Sequence, residues 1–404
     1  MKYSNKNLFI DGLKVESLAR EYSTPLYCYS LKKIKENISN FKKNFKNINS
    51  LTCFAVKANP NRVLLKEIGK LGLGADVVSI GELMKALKSG IKANKIVFSG
   101  VGKTSEEINF AIQKKILLIN AESKSEILEI EKIAKTKKKI VSIGIRLNPN
   151  IDAKTLSQIS TGKKENKFGV SEKNFLDLVN YTKNSRFLKL KCLSVHIGSQ
   201  ILNHRPYEKM LSVLQKIIYK TKFNFEYIDL GGGMGIDYEK NNKKLNFKKY
   251  ASNIQKFLKK NKTKIIFEPG RTIVANSGYL ISKVIYIKEG NKKNFIIIDA
   301  AMNDLMRPAL YNAKHQIVPT KKTGFKSKKY YEFVGPICES TDKFSTLKRF
   351  QKLSEKDFIV ICDVGAYGMS LSSNYNLRPK AAELLIQGSK VKVISKRQNL
   401  KNLI

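Results

Sequence analysis

From Leu51 to Arg271 the chain alternates between short, almost wholly apolar runs and longer segments whose apolar residues return every three or four positions. The runs are LTCFAVKA, ADVVS, KIVFSG, ILLIN, IVSIGIRLN, KLKCLSVHIG, FEYIDLGGG and KIIFEPG. Strands apolar on both faces, separated by amphipathic helices, predict a parallel sheet covered by helices. Eight of them predict an α/β fold built on a closed (β/α)8 barrel. Among the helices, Phe247, Tyr250, Ala251, Ile254, Phe257 and Leu258 form one apolar stripe. Asn59 and Pro60 read as the start of another, ahead of Leu64, Leu65, Ile68 and Leu71.

After Arg271 the rhythm changes. GYLISKVIYIKEG, NFIIIDA, YYEFVGP, DFIVICDVG and KAAELLIQGSKVKVISKR read as strands joined by turns, without a long helical stripe. We expect a barrel over residues 30–271 and a C-terminal β domain over 272–404. Residues 1–29 are expected to pack with the latter, because LYCYS at 26–30 is strand-like.

Composition narrows the class. No run reaches the roughly 20 apolar residues of a membrane span, and the N-terminus lacks the pattern of a secretory signal. The five cysteines are scattered, which suggests neither a disulfide framework nor a metal cluster. The cytoplasm is the expected location. A net charge of +43 admits nucleic acid as a partner, but the excess is lysine strewn through polar segments, and solvated lysine is the simpler reading. Arginine is scarce, so Arg146, Arg271, Arg307 and Arg378 draw notice, since lysine cannot reproduce the planar guanidinium fork.

Catalytic groups of a barrel come from the C-terminal ends of its strands. Lys57, in FAVKAN, reads as an ammonium inside an apolar strand, which is costly unless it is paired or converted to an imine. His196 ends SVHIGSQ and could lie flat against a bound ring. Gly231, Gly232 and Gly233 follow a strand directly; the spacing is not that of a dinucleotide fingerprint, yet consecutive glycines let backbone N–H groups ring a phosphate. Glu268, in FEPGR, leaves the last barrel strand, where a carboxylate could keep a pyridine nitrogen protonated. Each of these signals is weak alone, and together they describe a site for pyridoxal 5'-phosphate.

FAVKAN, HIGSQ, GGGMGI, EPGR, CESTD and DVGAYG together resemble the fold-type III pyridoxal-phosphate decarboxylases, over about residues 25–387. That resemblance implies an alanine-racemase-like barrel with a C-terminal β domain, assembled as a head-to-tail homodimer with active sites at the interface. It implies that Lys57 carries the cofactor, His196 stacks on it, and Gly231 to Gly233 with Pro269, Gly270 and Arg271 hold its phosphate. Glu268 then faces the pyridine nitrogen, and Tyr367 contacts phosphate or substrate. Cys338 is implied as proton donor and Glu339 as reader of the distal ammonium. The segment DAAMNDLMRPALYNAKH is similar to the branch acting on meso-2,6-diaminopimelate, where Arg307 and Tyr311 with Arg271 would bind a distal carboxylate; the products would be L-lysine and CO2. Arg378 is as consistent with an interface role as with ligand binding. Ala301, Asn312 and Thr341 depart from the family pattern without removing a charged or nucleophilic group. Rival readings are a decarboxylase for another diamino acid or carboxynorspermidine, and a basic nucleic-acid or anion-binding protein on a barrel scaffold.

Overall fold

The computed structural model describes residues 1–153, 161–162 and 165–404. The chain divides into two compact units. One comprises Ile38–Ile236 with Asn242–Thr272, and the other Met1–Asn37, Asp237–Asn241 and Ile273–Ile404.

The first unit is a closed eight-stranded barrel. Its strands are β1 (Ser50–Ala55), β2 (Gly74–Val77), β3 (Ile96–Phe98), β4 (Leu118–Ala121), β5 (Val141–Arg146), β6 (Leu188–Ser194), β7 (Tyr227–Asp229) and β8 (Lys264–Phe267). All eight neighbouring pairs are parallel, and β8 closes on β1 with Ile265 opposite Ser50. Cys53, Val97, Leu118, Cys192 and Ile266, from five strands around the ring, converge in one apolar cluster that fills the barrel. Toward the C-terminal strand ends the filling turns polar. There Asn120 Nδ2 donates to Asp229 Oδ2 at 2.9 Å and to Ser194 Oγ at 3.4 Å.

Local sequence explains the helices. Phe247–Leu258 buries the expected stripe, and Asn246 caps it by accepting from the Lys249 amide at 3.0 Å. The helix after β1 starts later than its sequence suggests. It runs Arg62–Lys70 with Asn61 as the cap, because Asn59 instead accepts from the Asn61 amide and shapes the turn before it.

The second unit is β-rich, with only short helical pieces after Ile273. Leu26–Ser30 lies between Gly278–Lys288, to which it is antiparallel, and Ala382–Gln387, to which it is parallel. The strand of LYCYS is thus central to the C-terminal sheet. Leu8, Ile10, Val15, Leu18, Leu26, Cys28, Ile281, Val360, Leu384 and Ile386 form the unit's main core. No described helix is long and apolar enough to cross a membrane.

Candidate active site

Lys57 is not in a strand. β1 ends at Ala55, and the lysine sits in a 3-10 turn, Val56–Ala58, just past it. Its side chain keeps 38% of its exposure, so the cost of burial in an apolar strand does not arise. What fixes it is a partner the sequence reading missed: Nζ lies 2.6 Å from Oδ2 of Asp76, which is fully buried in β2. An acid inside the apolar run ADVVS was the available signal.

Around this pair stand the ends of the later strands. His196 is two residues past β6, and its Nδ1 accepts from the Gly232 amide at 3.2 Å, which leaves the proton on Nε2. Loss of water, helped by the cations of Arg146 and Lys57, holds the imidazole well below its ordinary pKa, so it is a neutral ring. Arg146, at the end of β5, is buried against Glu122 at 2.8 Å.

Asp229 ends β7 and Glu268 follows β8, both buried. Burial first, then the carboxylates of Asp229 and Asp76, push the Glu268 carboxyl well above the usual range. Burial likewise lifts Asp229 to about 6, against hydrogen bonds from the Gly231 amide, Glu268 and Asn120. Two acids that hydrogen-bond each other in a dry site share a proton, and Glu268 carries it in the direction both shifts indicate. Asp229 is a second residue missed from sequence, again an acid closing an apolar strand.

The glycine run is dictated by crowding. A Cβ at Gly231 would come 2.5 Å from His196 Nδ1, and one at Gly232 would come 2.2 Å from the Glu268 carbonyl oxygen. Only glycines let β7 exit between those two residues. Gly270 lies against Ala55 and Ala58, and Arg271 Nη2 donates to Ser199 Oγ at 3.0 Å. Pro269 ties back to β1 through its carbonyl, which accepts from the Ala55 amide at 3.3 Å. Lys57, His196, Gly231, Gly232, Gly233, Glu268, Pro269, Gly270 and Arg271 therefore collect at one mouth of the barrel.

The remaining predicted residues belong to the second unit. Arg307, buried, and Tyr311, half-buried, share one helical turn, Arg307–Tyr311, which ends on Asn312 at a φ of 50°. Asparagine tolerates that left-handed conformation, which accounts for its use there. Cys338 and Glu339 are both exposed, in the loop after Tyr330–Val334. Hydroxyls of Thr341 and Tyr375 donate to Glu339 and hold its carboxyl below the ordinary range. Buried Asp342, also missed, accepts from the Ile337 amide at 2.8 Å and the Met302 amide at 2.7 Å, which anchors the base of this loop. Tyr367 adopts a φ of 57° in the loop after Phe358–Cys362; a bulky residue stays there only where its surroundings hold it. Arg378 Nη2 donates to the Asp299 carbonyl at 2.8 Å, which favours a structural role.

Residues 31–275 match the family model described as "Pyridoxal-dependent decarboxylase, pyridoxal binding domain". Over 403 residues the chain is 41% identical to a diaminopimelate decarboxylase of Aquifex aeolicus, covering 99% of this chain and 95% of the relative. The chain belongs to the diaminopimelate decarboxylase family. A Helicobacter pylori diaminopimelate decarboxylase is 45% identical, with 96% of each chain covered. The solved structure of a Helicobacter pylori diaminopimelate decarboxylase complexed with L-lysine superposes with a TM-score of 0.89 at 44% identity, covering 96% of this chain and 98% of that one. One from M. jannaschii, also complexed with L-lysine, gives 0.94 at 34% identity, covering 100% and 96%.

The barrel mouth of this decarboxylase fits pyridoxal phosphate by its donor set. It offers a primary amine at a strand end, a neutral imidazole, a carboxyl that retains its proton, and a glycine run with no room for side chains. The described residues contain no cluster of His, Cys, Asp and Glu able to hold a metal.

Proposed function

We propose that the protein decarboxylates meso-2,6-diaminopimelate to L-lysine and CO2, with the residues assigned as follows. Lys57 attaches the cofactor, and Asp76 orients its amine. His196 lies against the ring as an uncharged plate. Glu268 presents its proton to the pyridine nitrogen, with Asp229 behind it. The backbone of Gly231 to Gly233 and of Pro269 to Arg271, with Tyr367, holds the phosphate. Bound there, pyridoxal phosphate supplies an electron-accepting ring that takes up the electron pair left when CO2 departs. Cys338 returns a proton to the α carbon, and Glu339 binds the distal ammonium. Residues 30–271 form the cofactor domain in this reading, and residues 272–404 with 1–29 the second domain.

The observation that carries the choice of substrate is Arg307, a guanidinium left 5% exposed, with Tyr311 one turn away on the same helix. Together with Arg271 these would read a distal carboxylate through a planar fork. Ornithine, arginine and lysine lack that carboxylate and would forgo this interaction. The exposure of Cys338 and Glu339 on a single chain supports a homodimer in which each chain supplies that loop to its partner. The test is CO2 release from meso-diaminopimelate, L-lysine, ornithine, arginine and carboxynorspermidine. A kcat/KM for diaminopimelate at least a hundredfold above the others is expected, and equal activity on ornithine would reject the assignment.

A further inference from the structure

His315 is one of only three histidines in the chain, and it is 4% exposed. Both ring nitrogens are engaged. Nε2 lies 2.8 Å from Arg307 Nη1, and Nδ1 lies 2.8 Å from the carbonyl oxygen of Cys362. A guanidinium has only donors and a carbonyl only lone pairs. The two contacts are therefore satisfied together by one form of the ring: neutral, with its hydrogen on Nδ1 and its lone pair on Nε2. A second proton would set an N–H against an N–H and a cation against a cation.

The same guanidinium stacks on Tyr238, its carbon 4.4 Å from the ring centroid, and the Tyr238 ring meets His315 edge-on at 5.2 Å. Arg307 is thus held from one side by an aromatic face and at one nitrogen by a lone pair. Among the described charged groups nearby, Asp363 and Glu239 each have a lysine partner, and Asp363 also feels the Arg307 cation. Asp363, next to the accepting carbonyl, is bound by Lys240 at 2.8 Å, and Glu239 faces Lys314 at 3.8 Å. A carboxylate in place of His315 would grip Arg307 as firmly but would cancel its charge. An imidazole grips it and leaves the charge in place.

We propose that His315 is a positioning residue that sets the Arg307 guanidinium for a ligand carboxylate. The inference rests on the reading of Arg307 as the reader of the distal carboxylate. The lone pair on Nε2 is what holds Arg307, so losing it should weaken substrate binding, and a replacement that keeps an acceptor there should not.

The experiment compares full-length holoenzymes, wild type, His315→Leu, His315→Gln and Arg307→Ala, by kcat and KM for meso-diaminopimelate at pH 8. Leucine removes the lone pair, and KM should rise tenfold or more while kcat changes much less. Glutamine keeps an oxygen acceptor that does not titrate. Its KM should stay within threefold of wild type. Arg307→Ala impaired beside an unimpaired His315→Leu overturns the role of His315 alone. Arg307→Ala with the wild-type KM overturns the carboxylate-reader assignment itself. Should the leucine variant fail to fold, His315→Phe, which keeps a flat ring without the lone pair, takes its place, and a wild-type KM there overturns the proposal.

Discussion

Replacing Gly232 by alanine probes how the ends of β7 and β8 build the cofactor site. The residue does not occupy left-handed backbone, so alanine is not excluded by its dihedral angles, and the obstacle is space alone. The new methyl carbon would lie 2.2 Å from the Glu268 carbonyl oxygen, and real contacts of this kind stay beyond 3.0 Å, so one strand end must retreat by about 0.8 Å. Overpacking of this sort costs roughly 1–3 kcal/mol, and for a unit of this size lowers the melting temperature by about 2–10 °C. The functional effect should be larger. The retreat displaces Glu268 and the Pro269–Arg271 backbone, and it disturbs the Gly232 amide that fixes the His196 tautomer. A misplacement approaching 1 Å can cost about a hundredfold in rate. We expect kcat/KM for meso-diaminopimelate to fall about that much, with cofactor affinity, from visible absorbance of the reconstituted protein, down tenfold or more. Gly102→Ala is the matched control, since a methyl there meets nothing within 4 Å. If Gly232→Ala binds cofactor and turns over within threefold of that control, the strand ends do not set the site.

The shared-site homodimer predicts subunit complementation. Lys57→Ala and Cys338→Ala chains should each be nearly inactive alone, but co-assembled at random they should recover about a quarter of wild-type sites; activity no higher than that of the separate variants rejects the exchange. The buried acids predict a pH dependence of the cofactor-free protein. Their folded pKa values are raised, so the folded state holds more protons than the unfolded chain. The stabilisation is complete below the ordinary carboxylate range and is lost as pH rises through about 6 for Asp229. Glu268→Gln supplies a permanent donor to Asp229. The unfolding free energy of the wild type relative to this variant, from denaturant titrations, should therefore fall between pH 4.5 and 7.5, and a flat difference rejects the shared proton.

What the sequence made legible was periodic or chemically odd. The barrel could be read because parallel strands covered on both faces are apolar throughout, and the groups flanking their C-terminal ends stand out as charged or glycine-rich. Lys57 was found for a partly mistaken reason. FAVKAN looks like one continuous strand, yet the ladder stops at Ala55 and the next three residues turn. Asp76 and Asp229 escaped notice because a single acid in an apolar run gives no hint of what it faces across a barrel. His315 lies in a segment whose Arg307 and Tyr311 attracted attention by charge and family pattern. Its role depends on a carbonyl 47 residues away at Cys362, a pairing that no local periodicity encodes. The buried arginines, by contrast, were foreshadowed by scarcity. In a lysine-rich chain, Arg146, Arg271 and Arg307 are all nearly inaccessible to water.

The position of Leu26–Ser30 between Gly278–Lys288 and Ala382–Gln387 has a consequence for biogenesis. This segment is buried at every residue once the sheet is complete. It leaves the ribosome well ahead of its neighbours: the strand on one side is made about 250 residues later and that on the other about 350 residues later. At about 5–20 residues per second, the wait for the second neighbour is on the order of 20–70 s. During that interval LYCYS offers two unpaired edges, while the barrel that follows it can close on its own strands. Nascent chains stalled or cut before Ala382 should therefore carry a closed barrel beside a strand, Leu26–Ser30, with an unpaired edge, the feature a holding chaperone binds.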